Sequence, residues 1–257
     1  MTCWRETGSG MALTLLHGIS SGSRSWHKQM TTMNGCRLLA WDMPGYGDSP
    51  MPQREKPMAA DYADALAGML DKAGVGKTVL LGHSLGALVA SAFAARYPLR
   101  VIRLVLADPA QGYGQAAPEQ REQVWRKRER QVAAGMENLA RTRADKLLRP
   151  GARQEDIDTI AEGMRRLRRE GFLAAARMLA DDDIHRWLGD CRCGLEVWCG
   201  EQDAITPQEN AWGLARRWNA PGIAIPNAGH ASYLDNDTFF NQQLIRIMQE
   251  ASDECTN

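Results

Sequence analysis

Residues 82–86 read Gly82-His83-Ser84-Leu85-Gly86, and their flanks narrow the possible folds more than any other stretch of the chain. Before them stands Thr78-Val79-Leu80-Leu81, β-branched and aliphatic, the composition of a strand buried on both faces. After them, Ala87 to Arg96 is rich in Ala and Leu and stops at Tyr97-Pro98, which predicts a helix. A strand that turns sharply into a helix, with glycine on either side of a serine, is a nucleophile elbow. The glycines permit close backbone approach, and the serine is held in a strained conformation that projects its hydroxyl at the end of the sheet. The competing reading is a plain Gly-Ser turn, and the strand–helix context argues against it. Ser84 is the predicted nucleophile.

A serine hydroxyl is a weak nucleophile at neutral pH, so the elbow predicts partners downstream: a histidine base and a carboxylate to fix its tautomer, in the order Ser, Asp or Glu, His. Of the five histidines, His17, His27, His83, His185 and His230, only His230 stands far downstream in a loop, within Pro226-Asn227-Ala228-Gly229-His230-Ala231. His185 falls in the charged helical stretch Asp183 to Trp187 and reads as a solvated or capping residue. Two carboxylates compete for the third place. Asp203 follows the strand Leu195 to Cys199 across Gly200-Glu201-Gln202, and Asp108 follows the strand Val101 to Ala107. Both lie at carboxyl ends of expected parallel strands, where sites gather in open α/β sheets. Asp203 is favoured because its strand directly precedes that of the histidine loop.

Negative charge developing on a substrate oxygen calls for two backbone N–H donors. One is expected from Leu85, the residue after the nucleophile, and the other from Ile19, in the loop His17-Gly18-Ile19-Ser20-Ser21 that follows the strand Ala12 to Leu16. Ser20 can add a hydroxyl, or the stretch is an ordinary polar loop.

These stretches together resemble the α/β-hydrolase-fold enzymes of the small esterase, lactonase and C–C hydrolase group. The likeness rests on Leu15-Leu16-His17-Gly18, Asp42-Met43-Pro44-Gly45-Tyr46-Gly47-Asp48-Ser49, the elbow, Gly200-Glu201-Gln202-Asp203 with Ile205-Thr206-Pro207, and Gly229-His230, in family order. Most of that family has its catalytic acid where Asp203 stands, and a minority where Asp108 stands. The chain departs from the family at its N-terminus, where Thr2 to Glu6 can supply one strand and the customary first strand is missing. The resemblance implies two-step acyl transfer on an ester or lactone of a small carboxylic acid, including ring-cleavage products of aromatic catabolism. Hydrolysis of a C–C bond, or of a C–N bond as in amidases and deformylases, would use the same three residues. A non-catalytic ligand receptor on this fold is the reading from another class. Epoxide and haloalkane chemistry is disfavoured, since such relatives carry Asp where Ser84 stands.

Strand signals near 12–16, 37–41, 78–82, 102–107, 195–199 and 223–225 alternate with helical stretches, which predicts a mostly parallel twisted sheet with helices on both faces. Between Tyr113 and Trp187 they vanish. Residues 112–187 are expected to form a helical cap inserted after the sixth strand of the fold, with 1–111 and 188–257 as the core. The cap is rich in arginine: Arg121, Arg126, Arg128, Arg130, Arg165, Arg166, Arg168 and Arg169. Most are expected on solvated faces paired with Glu122, Glu129, Glu155 and Glu162. The alternative turns one or two of the eight into the pocket, to meet a substrate carboxylate, with Arg126, Arg130, Arg165 and Arg168 the positions to test.

A formal net charge of zero suggests no nucleic-acid or membrane-surface partner. With no long apolar run and no leader-like pattern in Met1 to Gly10, the expected compartment is the cytoplasm. The six cysteines form no disulfide framework, and Cys191-Arg192-Cys193 lacks the second pair that zinc needs. No cofactor and no metal is expected; the partner is a small molecule, anionic in the arginine alternative, and the chain is a monomer or homodimer. Gly74-Val75-Gly76-Lys77-Thr78 mimics a phosphate loop, but helix precedes it and strand follows, the reverse of what phosphate binding requires.

Overall fold

A computed structural model describes residues 3–256. Met1, Thr2 and Asn257 lie outside the described residues, and with them the first position of the expected N-terminal strand. Among the described residues, β1 (Trp4–Gly8), β2 (Ala12–Leu16), β3 (Arg37–Trp41), β4 (Thr78–His83), β5 (Val101–Ala107), β6 (Gly194–Gly200) and β7 (Gly222–Ile225) form one seven-stranded sheet. Its order is β1-β3-β2-β4-β5-β6-β7, and every pair is parallel except β1 with β3. The edge strand β1 reaches further than the expected Glu6, to Gly8, which adopts φ +75° beneath the Cys36 carbonyl where a Cβ would stand 2.1 Å from the oxygen.

Parallel neighbours need crossover segments. The helices α1 (His27–Thr32), α2 (Ala59–Lys72) and α3 (Leu85–Arg96) make the first three. Between β5 and β6 comes the long insertion, with α4 (Pro118–Ala133), α5 (Met136–Arg143), α6 (Gln154–Arg165), α7 (Arg169–Asp181) and α8 (Ile184–Leu188). Helix α9 (Gln208–Arg217) links β6 to β7, and α10 (Ser232–Asp235) and α11 (Asp237–Thr256) close the described chain. Successive strand residues point to opposite faces. Every residue of β2 and β4 is nevertheless buried, so the sheet centre is covered on both sides. The phosphate-loop mimic is the end of α2: Gly74 takes φ +66°, and its N–H and that of Val75 bond back to Asp71 and Leu70 carbonyls at 3.0 and 2.8 Å.

The winding reverses between β2 and β4, which are neighbours in the sheet. Loops leaving the carboxyl ends of two such strands diverge and leave a crevice between them. Residues 17–22 leave β2 there, and Ser84 leaves β4 there. No helix among the described residues is long and apolar enough to cross a membrane.

Candidate active site

Ser84 joins β4 to α3 at φ 52° and ψ −117°, a sparsely populated conformation for any residue with a side chain. Two glycines make that turn possible. A Cβ on Gly82 would lie 2.3 Å from the Gly86 carbonyl oxygen, and one on Gly86 would lie 2.6 Å from that of Leu16. The strand and helix therefore pack backbone to backbone, and the serine side chain is pushed out into the crevice.

The hydroxyl lies 2.9 Å from His230 Nε2, and His230 Nδ1 lies 2.9 Å from Asp203 Oδ2. A carboxylate can only accept, so Nδ1 carries the ring proton and Nε2 is left to receive the serine proton. The histidine loop is fixed from several sides. His83 Nε2 donates to the His230 carbonyl at 2.7 Å, Gly229 N–H reaches Asp235 at 2.8 Å, and Ala231 N–H bonds to Leu147 of the insertion at 2.6 Å.

Of the two rival carboxylates, Asp203 is the one that meets His230. Burial acts to raise its pKa, but hydrogen bonds from His230 and Thr206 outweigh burial and hold it below the usual carboxylate value. Its Oδ1 accepts the N–H groups of Ile205 and Thr206 at 2.7 and 2.9 Å, and the Thr206 hydroxyl donates to Oδ2 at 2.7 Å. Asp108 is fully buried next to this cluster and serves another purpose. It accepts from the Gly200 N–H at 2.8 Å and from the Ser232 hydroxyl, tying β5 to β6 and to the segment after His230. Burial, and then the charge of Asp203, push Asp108 up to about 7. Asp108, Cys199 and Asp203 offer ligand atoms within 4.8 Å of one another, yet the two carboxylates already accept from the protein's own donors.

Both expected N–H donors border the same cavity as Ser84, and neither finds an acceptor among the described residues. Their orientation follows from the planarity of the peptide unit, which sets N–H and C=O on opposite sides. The Gly18 carbonyl, in one plane with the Ile19 N–H, accepts from His17 Nδ1 at 2.8 Å and Ser21 N–H at 3.3 Å. The Ser84 carbonyl, in one plane with the Leu85 N–H, accepts from Ala87 and Ala110 N–H at 3.0 and 3.1 Å. His17 is buried and its Nε2 accepts from Met43 N–H at 3.2 Å, so both ring nitrogens are used to hold this loop. Tyr46 adds a hydroxyl bond to the Ile19 carbonyl at 2.9 Å. The bracing residues His17, Tyr46 and Thr206 stood in quoted motifs, but nothing in one sequence distinguishes a brace from a turn residue. His185 lies away from the cavity, accepting the Trp218 indole N–H at 3.0 Å.

The cavity offers about 650 Å³, ample for a small organic molecule. Its wall opposite the sheet comes from the insertion, including Arg128, Arg143, Ile160 and Leu167. The arginines singled out from sequence as pocket-facing do not border it. Arg126 pairs with Glu122 at 2.8 Å, Arg165 with Glu137 at 2.8 Å, and Arg130 is exposed. Arg168 donates to the Ser49 carbonyl at 2.6 Å. Arg128 and Arg166, of the same eight but outside those four, border the cavity instead. Two residues along a helix turn the side chain about 200° around the axis, so Arg126 and Arg128 cannot share a face.

The chain matches the model of the alpha/beta hydrolase fold family over residues 12–237. It is 27% identical over 274 residues to a pimeloyl-[acyl-carrier protein] methyl ester esterase of Pectobacterium atrosepticum, covering 96% of this chain and 98% of that protein. It is 29% identical over 268 residues to a 2-hydroxy-6-oxononadienedioate/2-hydroxy-6-oxononatrienedioate hydrolase of Burkholderia vietnamiensis, covering 96% and 90%. Among solved structures, a thermophilic esterase of Thermogutta terrifontis with malate bound superimposes with a TM-score of 0.88 at 28% identity, covering 97% of this chain and 93% of that one. The chain is a hydrolase and belongs to the α/β-hydrolase-fold family.

Proposed function

We propose that the chain hydrolyses an ester or lactone of a small carboxylic acid by acyl transfer through Ser84, His230 and Asp203. His230 Nε2 takes the hydroxyl proton as Ser84 Oγ attacks the carbonyl carbon. The Ile19 and Leu85 N–H groups receive the developing oxyanion. The same imidazole returns its proton to the leaving oxygen, and water then attacks the acyl-enzyme by the reverse sequence of proton transfers. The observation that carries this reading is the continuous hydrogen-bonded line from Ser84 Oγ through His230 to Asp203, at 2.9 Å for each link. The esterase relatives support the choice of bond.

Cleavage of a C–C bond in a ring-fission product is the second reading, favoured by the relative whose name is a dienedioate hydrolase. The insertion of residues 112–187 acts in either case as a cap that shields the acyl-enzyme and shapes the pocket. Rapid mixing with 4-nitrophenyl acetate and butyrate tests the ester reading against both rivals. A burst of 4-nitrophenol equal to the enzyme concentration, followed by steady turnover, is expected. No burst, with loss of the dienoate absorbance of a ring-fission substrate, moves the reading to C–C hydrolysis; neither signal moves it to hydrolysis of a C–N bond by the same three residues.

A further inference from the structure

We propose that Arg128 of α4 and Arg143 of α5 form a carboxylate-binding subsite inside the cavity, and that the substrate is an ester carrying a free carboxylate away from the scissile carbonyl. The inference rests on the hydrolase reading above and gives it a substrate class.

Both arginines border the cavity that Ser84 opens into. The Nε of each is shut away from solvent without a hydrogen-bond partner. Among the described residues the only bond from the Arg128 guanidinium is to the Gln131 side chain at 3.0 Å, and neither arginine lies within ion-pair distance of a carboxylate. Several other insertion arginines have carboxylate partners. Arg121 and Arg177 hold Asp181, Arg126 holds Glu122, Arg165 holds Glu137, and Arg166 holds Glu162 at 2.7 Å. Glu162 also borders the cavity, but its charge is engaged by Arg166 and Arg165.

An enclosed guanidinium without a counter-charge is unfavourable, and two that repel one another are more so. Burial and then the charge of Arg143 push Arg128 down to about 10, so it stays cationic at neutral pH. Burial lowers Arg143 in the same direction. Such a pair does little to hold the fold: Arg128 has only the neutral Gln131 side chain as acceptor, and neither arginine has a counter-charge to repay its burial. A planar fork aimed into a cavity fits a carboxylate, which supplies two acceptor oxygens and the missing charge. Tyr46 and Tyr113 are the other groups whose proximity Arg128 feels. Tyr46 borders the same cavity and its hydroxyl bonds to the Ile19 carbonyl at 2.9 Å, so the subsite and the expected oxyanion donors open on one space. A molecule spanning both would have its reacting carbonyl over Ser84 and its carboxylate against the insertion.

The test compares mono-4-nitrophenyl esters of the dicarboxylic acids from succinic to suberic with their methyl 4-nitrophenyl diesters. For the wild type, kcat/KM should favour the half-acid at one chain length. The ratio of half-acid to diester should fall about ten- to a hundredfold in Arg128→Met and in Arg143→Met, and be partly restored in Arg128→Lys. It should stay at the wild-type value in Arg126→Met, on the far face of α4. In parallel, the free dicarboxylate of that length should raise the Tm of the wild type and not of the Arg128→Met/Arg143→Met double variant. Both single variants should fold, since a half-buried charge without a counter-charge is replaced by an apolar chain. Equal ratios in all five proteins, or a wild type indifferent to the carboxylate, would overturn the subsite. A Tm rise from inorganic phosphate as large as the dicarboxylate's would overturn its assignment to carboxylates. Hydrolysis of neither ester would overturn the ester reading instead, while the dicarboxylate's effect on Tm would still decide the subsite.

Discussion

Two aspartates end neighbouring strands within reach of the same histidine loop, and their surroundings assign them opposite characters. Asp203 accepts four hydrogen bonds from His230, Ile205 and Thr206, which keep it ionised beside the imidazole. Asp108 is buried among backbone and hydroxyl donors, with His83 3.7 Å away. Asp203→Asn should therefore lower kcat about ten-thousandfold, because an amide donor opposite Nδ1 turns the imidazole to the wrong tautomer. Asp108→Asn should cost about tenfold or less, through slack in the histidine loop. Steady-state rates on one ester check both, and a reversed order would make Asp108 the acid. Asp108 also predicts a pH signature. It titrates at about 7 in the folded protein, against about 3.9 when unfolded. Below the lower value both states are protonated and the group is neutral to stability. As pH rises from about 4 to about 7, the unfolded chain releases its proton first and stability falls; above 7 the loss is complete. Asn cannot titrate. The difference in unfolding free energy, Asp108→Asn minus wild type, should therefore climb across that window and then level off. Denaturant titrations at several pH values measure it, and a constant difference would contradict the buried-carboxyl assignment.

At the level of elements, the proposed chemistry asks one thing of the loop leaving β2, to present one N–H to the crevice. It does so from the back: His17 and Ser21 hold the Gly18 carbonyl, and Tyr46 holds the next one. His17→Ala removes both ring bonds and leaves the Ile19 peptide free to turn. The expected result is a fall in kcat of about a hundredfold with KM changed much less, because the donor matters most when the oxyanion forms. Stopped-flow acylation rates separate the two; a rise in KM alone would show that the loop only binds substrate. The strand ends of this device were readable in the sequence, since β2 and β4 are mostly aliphatic and a glycine-containing motif follows each. The bracing was not, because it depends on which peptide a ring nitrogen reaches across the turn. The insertion shows the same division. Its helices follow from charged and apolar periodicity, yet which arginines face inward is decided by how α4 to α7 pack on one another. Glu122 holds Arg126 away from the cavity, and Glu162 neutralises Arg166 at its edge. Arg128 and Arg143 were left within.

For the molecule as a whole, the sheet order brings together groups far apart in the chain: residue 19 after β2, residue 84 after β4, residue 203 after β6 and residue 230 after β7. The order of these motifs was legible because each parallel strand must end on the same side, so each carboxyl-end loop has the same neighbourhood. The choice between Asp108 and Asp203 was not settled at that level, since both loops satisfy the rule and only side-chain reach separates them. Everything in the proposed chemistry passes through one atom, Ser84 Oγ, in a backbone conformation held by packing around Gly82 and Gly86. Covalent labelling of that atom is the most direct measurement. Incubation with a 4-nitrophenyl alkylphosphonate, followed by intact-mass analysis and peptide mapping, should show one adduct per chain, carried by Ser84, with activity lost in proportion to labelling. Ser84→Ala should take no label and should lower kcat about a thousandfold or more while keeping the wild-type circular dichroism. A label on any other peptide, or near-normal turnover by Ser84→Ala, would contradict the assignment of Ser84 as nucleophile.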